Sequence, residues 1–182
     1  MAQPTLFPES GFRRLRLDIA YDGTNFFGWG AQPDRRTIQD LVEEAISRIS
    51  RTDTNSIVAG RTDAGVHATG QVIHVDLPDA MFAGDLTYID FRYKLNRILD
   101  EDVRIMNITD APEGFHARFS ALRRYYVYKI IDNNDVIPPL SRHDVASWYR
   151  PLDLDRMNEA SKLVIGHHDF AAFCKFLSLI HI

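Results

Sequence analysis

The chain has 182 residues, a formal net charge of −4, 45% hydrophobic and 25% charged residues, and one cysteine, Cys174. That balance is of globular type and excludes wholesale disorder, and a single thiol excludes an internal disulfide and fits a reducing, cytoplasmic setting. Without an apolar run of about 18 residues or a signal-like N-terminus, no membrane span or secretion signal is expected. In chain order, residues 1–12 read as a loose leader with two prolines. "RRLRLDIAYDG" alternates, with Leu15, Leu17, Ile19 and Tyr21 on one face before an Asp-Gly turn, which predicts a half-buried strand. A Gly-rich loop, "TNFFGWGAQPDRR", carries Phe26, Phe27 and Trp29, residues of core or lid type. Ile38, Leu41, Val42, Ala45, Ile46 and Ile49 then hold the rhythm of an amphipathic helix, with Thr37 and Asp40 forming a variant capping box.

Short strands are predicted in "NSIVAG" and "GQVIHVDLP", on either side of "GRTDAGVHATG". A second helix is expected over "LTYIDFRYKLNRILD" and a further strand in "DVRIMNIT". Strand, helix, strand, strand, helix, strand is an α+β layer, an antiparallel sheet with helices on one face. A second unit then opens with a strand in "RRYYVYKIID", a loop, and a helix in "DLDRMNEASKLVIG" that Gly166 would end. "HHDFAAFCK" would begin a further strand or turn. The expected divisions are a leader at 1–12, a first α+β half at 13–110, the start of a second at 111–175, and an atypical tail at 176–182. A strand and helix without return strands make the second half an incomplete sheet layer.

Two segments stand out for chemistry. In "GRTDAGVHATG", Gly60, Gly65 and Gly70 free the backbone around Arg61 and Asp63, which sit two residues apart and can approach in an irregular loop. The spacing is neither a dinucleotide fingerprint nor a Walker loop. Asp63 is open to three readings: a nucleophile or anchor, a metal ligand, or a turn aspartate. His67 and His74, with Asp63 or the distant "HHD" at 167–169, lack the closely spaced ligand pair of a catalytic zinc site, so no metal is expected. His116 reads as a hydrogen-bonded packing residue, and a Ser-His-Asp hydrolase is unsupported without a nucleophile elbow. The other segment, "FHARFSALRRYYVYK", interleaves Arg118, Arg123, Arg124 and Lys129 with Phe119, Tyr125, Tyr126 and Tyr128 and holds no acid. Cations beside aromatics suit RNA loops, and equally a strand with a basic solvent face. The net charge argues against indiscriminate nucleic-acid binding while leaving room for a local basic patch.

In order along the chain, "YDGTNFFGW", "AGRTDAGVHATGQV", "LNRIL", "FHARFSA", "RRYYVY" and "HDFAAF" resemble the TruA family of tRNA pseudouridine synthases, from about Leu15 to Lys175. The resemblance implies isomerisation of uridine to pseudouridine at positions 38, 39 and 40 of the tRNA anticodon stem-loop, with no metal or organic cofactor. It places the family's essential aspartate on Asp63, attacking the ribose C1′ or the uracil ring. Arg61 would hold the nucleotide or fill the space left by a flipped base, because C1′ and C5 are inaccessible in a stacked stem. Tyr126 would stack on the uracil and act as a base, and Arg118 and Arg124 would contact phosphates. The resemblance also implies a homodimer with tRNA across a basic cleft, and two similar α+β halves whose sheets join. The ending "FLSLIHI" departs from the family, which continues with an arginine that pairs with the catalytic aspartate. It is therefore expected to mark a truncated or frame-disrupted chain, with a catalytically incomplete tRNA-binding fragment as the alternative reading.

Overall fold

The computed structural model describes residues 6–173, so the expectations for the leader's first residues, Cys174 and the tail at 176–182 fall outside the described residues. Two compact units are present, the first reaching Tyr126 and the second starting at Val127.

The first unit is an antiparallel sheet of strands β1 (Phe12–Tyr21), β2 (Ser56–Val58), β3 (Ala68–Pro78) and β4 (Val103–Asp110), in the order β2-β3-β1-β4. Helices α1 (Ile38–Ser50) and α2 (Tyr88–Ile98) cover one face. The alternation of β1 does what a period of two requires: Leu15, Leu17, Ile19 and Tyr21 are all buried. Leu15 lies opposite Val75 and Leu17 opposite Ile73, so both strands turn their apolar set to the helices. From the helices, Val42, Ile46, Phe91 and Leu95 complete that core.

On the other side of β1 the register shifts, with Leu17 opposite Ile108 and Ile19 opposite Ile105. Ile105 and Ile108 are three residues apart, and strict alternation would send them to opposite faces. The bulge absorbs one residue, so both are buried while Met106 is 53% exposed. Asn96 of α2 then satisfies the edge of β4, its amide donating to the Ile105 carbonyl at 2.9 Å and its oxygen accepting the Ile105 N–H at 2.8 Å.

Thr37 caps α1, accepting the Asp40 N–H at 3.3 Å while its hydroxyl donates to the Asp40 carboxylate. The full capping box belongs to α2, where Thr87 and Asp90 hold one another's backbone N–H groups.

The second unit differs from the expectation. The strand anticipated over 123–132 shrinks to β5 (Ile130–Ile131), paired in parallel with β6 (Ala146–Ser147), because the residues before Ile130 find no neighbouring strand. Helix α3 (Leu154–Lys162) starts at an Asp153 cap and ends with Leu163 as its C-cap. Gly166 does adopt a left-handed φ of +109°, but three residues beyond that cap. At "HHDFAAF" there is a single 3-10 turn at Ala171–Phe173.

Candidate active site

The loop after β1 and the loop before β3 clasp one another through their backbones. A Cβ on Gly23 would lie 2.0 Å from the Val66 carbonyl oxygen, so only glycine lets the chains meet there. Gly28, at a φ of +92°, passes so close that a Cβ would stand 2.7 Å from the Thr62 oxygen. Hydrogen bonds stitch the same seam: Trp29 N–H donates to Thr62 O at 2.9 Å and Gly65 N–H to Phe26 O at 3.2 Å. Gly23 N–H donates to His67 Nδ1 at 3.2 Å, and Asp22 Oδ1 lies 3.1 Å from the same nitrogen. Phe26 and Trp29 are buried as core residues, while Phe27 remains half exposed beneath the Arg35 guanidinium.

Asp63 opens a tight turn. Its carbonyl accepts the Val66 N–H at 3.2 Å, and Gly65 takes the positive φ, +78°, that the third position of a type II turn requires. The Asp63 side chain is exposed and has no hydrogen-bond or ion-pair partner among the described residues. Among the described residues Arg61 and Asp63 form no ion pair: the Arg61 guanidinium lies against Gly30, within 3.8 Å of where a Cβ would sit. Among the described residues no group of three or more His, Cys, Asp or Glu is placed to hold a metal ion.

The basic-aromatic segment is anchored at its start on the sheet face away from the helices. Arg14, 7% exposed, makes a paired contact with Asp76 at 2.7 and 2.8 Å and donates to the Phe115 carbonyl at 2.9 Å. His74 Nδ1 accepts the Ala117 N–H at 3.0 Å. Burial, and then the Arg14 charge, push the His74 pKa down to about 4, so the imidazole stays neutral and its Nδ1 remains an acceptor. His116 is buried too, packs edge-on against His74 and stacks on Phe119, and burial lowers its pKa.

Beyond this anchor the segment is solvated. Arg118 is exposed with its guanidinium 5.8 Å from the Phe119 ring centre. Arg124 reaches back to the motif: Nη2 donates to Ala59 O at 2.5 Å, and a Cβ on Gly60 would stand 2.6 Å from its Nε. Tyr126 is 78% exposed and bonds to no described residue. The structure thus brings Arg124 and Arg61 to the borders of the Asp63 loop, while Arg118 reaches the neighbouring Phe119 ring and Tyr126 stands exposed to solvent.

Residues that motif reading passed over hold the loop from beneath. Tyr21 Oη lies 2.8 Å from Thr62 Oγ1, and Gln71 Nε2 reaches both Tyr21 Oη at 3.3 Å and Gly60 O at 2.8 Å. Their only trace in the sequence is a hydroxyl and an amide on strand positions that otherwise carry apolar core residues.

Comparison with known proteins accounts for this arrangement. A family model described as tRNA pseudouridine synthase matches residues 19–120. The chain is 52% identical over 166 residues to tRNA pseudouridine synthase A of Frankia casuarinae, and 50% identical over 173 residues to that of Streptomyces griseus. A protein of the same name from Mycobacterium leprae is 46% identical over 171 residues. These alignments cover 91%, 92% and 89% of this chain and 59% of each relative, so the chain spans about three fifths of the length of the curated relatives it matches. The matched region holds the Asp63 loop, the two glycine contacts and the anchored "FHARFS" segment, and the chain belongs to the tRNA pseudouridine synthase family.

Proposed function

We propose that this chain carries the nucleophile of a tRNA pseudouridine synthase acting on uridines 38–40 of the anticodon stem-loop. One observation carries the assignment to Asp63: an exposed, unpartnered carboxylate mounted on a loop whose backbone is tied down on both flanks. A nucleophile needs a free side chain on a fixed support. In the reaction, Asp63 attacks C1′ or the uracil ring, the N1–C1′ bond breaks, the uracil turns, C5 bonds to C1′, and the bond to Asp63 breaks so that the carboxylate is regenerated. The C5 proton leaves to solvent and N1 gains one, so no oxidant or reductant is consumed.

In this reading Arg61 holds the extruded nucleotide, Arg124 and Arg118 meet phosphates, and Tyr126 stacks on the uracil. The support is chemical: exposed guanidiniums flank the loop, and the phenol is free of protein partners. Residues 13–110 would form the half that bears the nucleophile and 111–175 the start of a similar half. Two copies would frame a basic cleft for tRNA in the cytoplasm.

A second reading, tRNA binding without turnover, is favoured by the lack of any cation paired with Asp63 among the described residues. Tritium release from tRNA labelled at uracil C5, measured beside tRNA affinity, separates the two. Turnover that vanishes in Asp63→Ala with affinity retained supports the isomerase; binding without release supports the second reading. Release that persists in Asp63→Ala overturns the nucleophile assignment.

A further inference from the structure

We propose that Tyr21, Thr62 and Gln71 are positioning residues for Asp63, forming a relay from two buried strand side chains to the half-buried Thr62 that fixes the backbone on which the carboxylate is mounted. The inference rests on the reading of Asp63 as the nucleophile. Tyr21 closes β1 and is 5% exposed; Gln71, near the start of β3, is 9% exposed. Between them the β1–β3 register slips by one residue, from Ile19 opposite Gln71 to Tyr21 opposite Ala68. The slip sits where the Asp63 loop joins the sheet, and both polar side chains hydrogen-bond to that loop.

The Gln71 end of the relay has a fixed direction. Gln71 Oε1 accepts the Val72 N–H at 3.2 Å, which leaves the amide nitrogen to donate to Gly60 O and Tyr21 Oη. The phenol oxygen accepts from Gln71 and lies 2.8 Å from Thr62 Oγ1, where either hydroxyl can donate to the other. Burial raises the Tyr21 pKa against the pull of those hydrogen bonds, so the phenol keeps its proton.

Thr62, directly before Asp63, is held twice: through Oγ1 by Tyr21 and through its carbonyl by Trp29 N–H. Gly60 is held through its carbonyl by Gln71, and the Asp63 carbonyl by Val66 N–H. Each anchor leaves the Asp63 carboxylate untouched. Phenylalanine would fill the same space in the core as Tyr21, so a buried hydroxyl that reaches Thr62 is more than packing needs.

The test compares the full chain with Tyr21→Phe, Thr62→Val and Thr62→Ser. Amide hydrogen exchange at Trp29, Gly65 and Val66 should rise about tenfold in Tyr21→Phe and Thr62→Val beyond any change in global stability, and return to the parent rate in Thr62→Ser. On labelled tRNA, kcat should fall by up to about 100-fold in the first two variants with KM changed by less than about twofold. Exchange that follows global stability alone overturns the relay. Faster exchange with unchanged kcat, or a loss confined to KM, overturns its role in the reaction. If the parent chain releases no tritium, the isomerase reading of this chain falls, and the exchange rates with the Thr62→Ser rescue decide the relay without it.

Discussion

The unit ending at Tyr126 and the unit starting at Val127 both contain helix and strand, yet among the described residues only the first buries side chains. In the first, Leu17, Trp29, Ile46 and Phe91 are wholly enclosed between sheet and helices. In the second, none of the described residues is buried; Leu140 is 98% exposed and Phe173 is 85% exposed. Helix α3 has a sound cap at Asp153 and acid in its first turn, so its local signals match those of α1. Caps and propensity nucleate a helix, but most of a helix's stability in a protein comes from the face it buries. Two strands of two residues each supply little more, because a sheet of two strands is marginal alone.

That contrast can be broken by truncating a leucine in each unit and by titrating the first. The largest effect is expected for Leu17→Ala, which removes a fully buried side chain from the central strand and should cost about 3–5 kcal/mol in urea unfolding. A loss below about 1 kcal/mol there would mean the core is far looser than its enclosure implies. Next comes pH. His74 titrates at about 4 when folded, against its ordinary 6.5, so the unfolded chain takes up the proton first as pH falls. Stability is then full above pH 6.5 and declines towards pH 4. The downward shift at His116 acts in the same direction. Arg14 and His116 disfavour the imidazolium while Asp76 favours it, and the net loss by pH 5 should be about 1–2 kcal/mol. His74→Asn keeps a hydrogen-bond acceptor without a titrating ring and should flatten that decline; an equally steep curve would assign the loss to other groups.

The smallest effect is expected for Leu140→Ala in the second unit, within about 0.5 kcal/mol of the parent. A loss comparable to that of Leu17→Ala would show that Leu140 is covered in solution and would erase the difference between the units.

Much of the first unit is legible in its residues. The alternation of Leu15, Leu17, Ile19 and Tyr21, the i, i+3, i+4 pattern from Ile38 to Ile46, and the Thr37 cap each depend on neighbours within a turn or a strand. The loop bearing Asp63 is legible as a motif because glycine and charge at that density have few structural uses. Less legible were the ends of elements in the second unit: the run before Ile130 has strand composition, but pairing needs a partner that composition does not supply. Gly166 suits a helix end, yet α3 stops at Leu163, where the chain buries nothing that would prolong it.

The sequence by itself determined the α+β class, the family, and which loop to propose for the chemistry, because those depend on periodicity and on residue types close along the chain. Only the tertiary structure decided that Gly23 and Gly28 are glycines to admit the backbone of Val66 and Thr62. It also decided that Arg61 turns to Gly30 instead of Asp63, that Arg124 borders the loop, and that Tyr21 and Gln71 hold it from below. Those relations join residues separated by 11 to 65 positions, and such pairs are set by the register of β1, β3 and β4 and the bulges within it. A hydrogen bond of 2.8 Å demands placement that local propensity does not contain; the packed sheet supplies it.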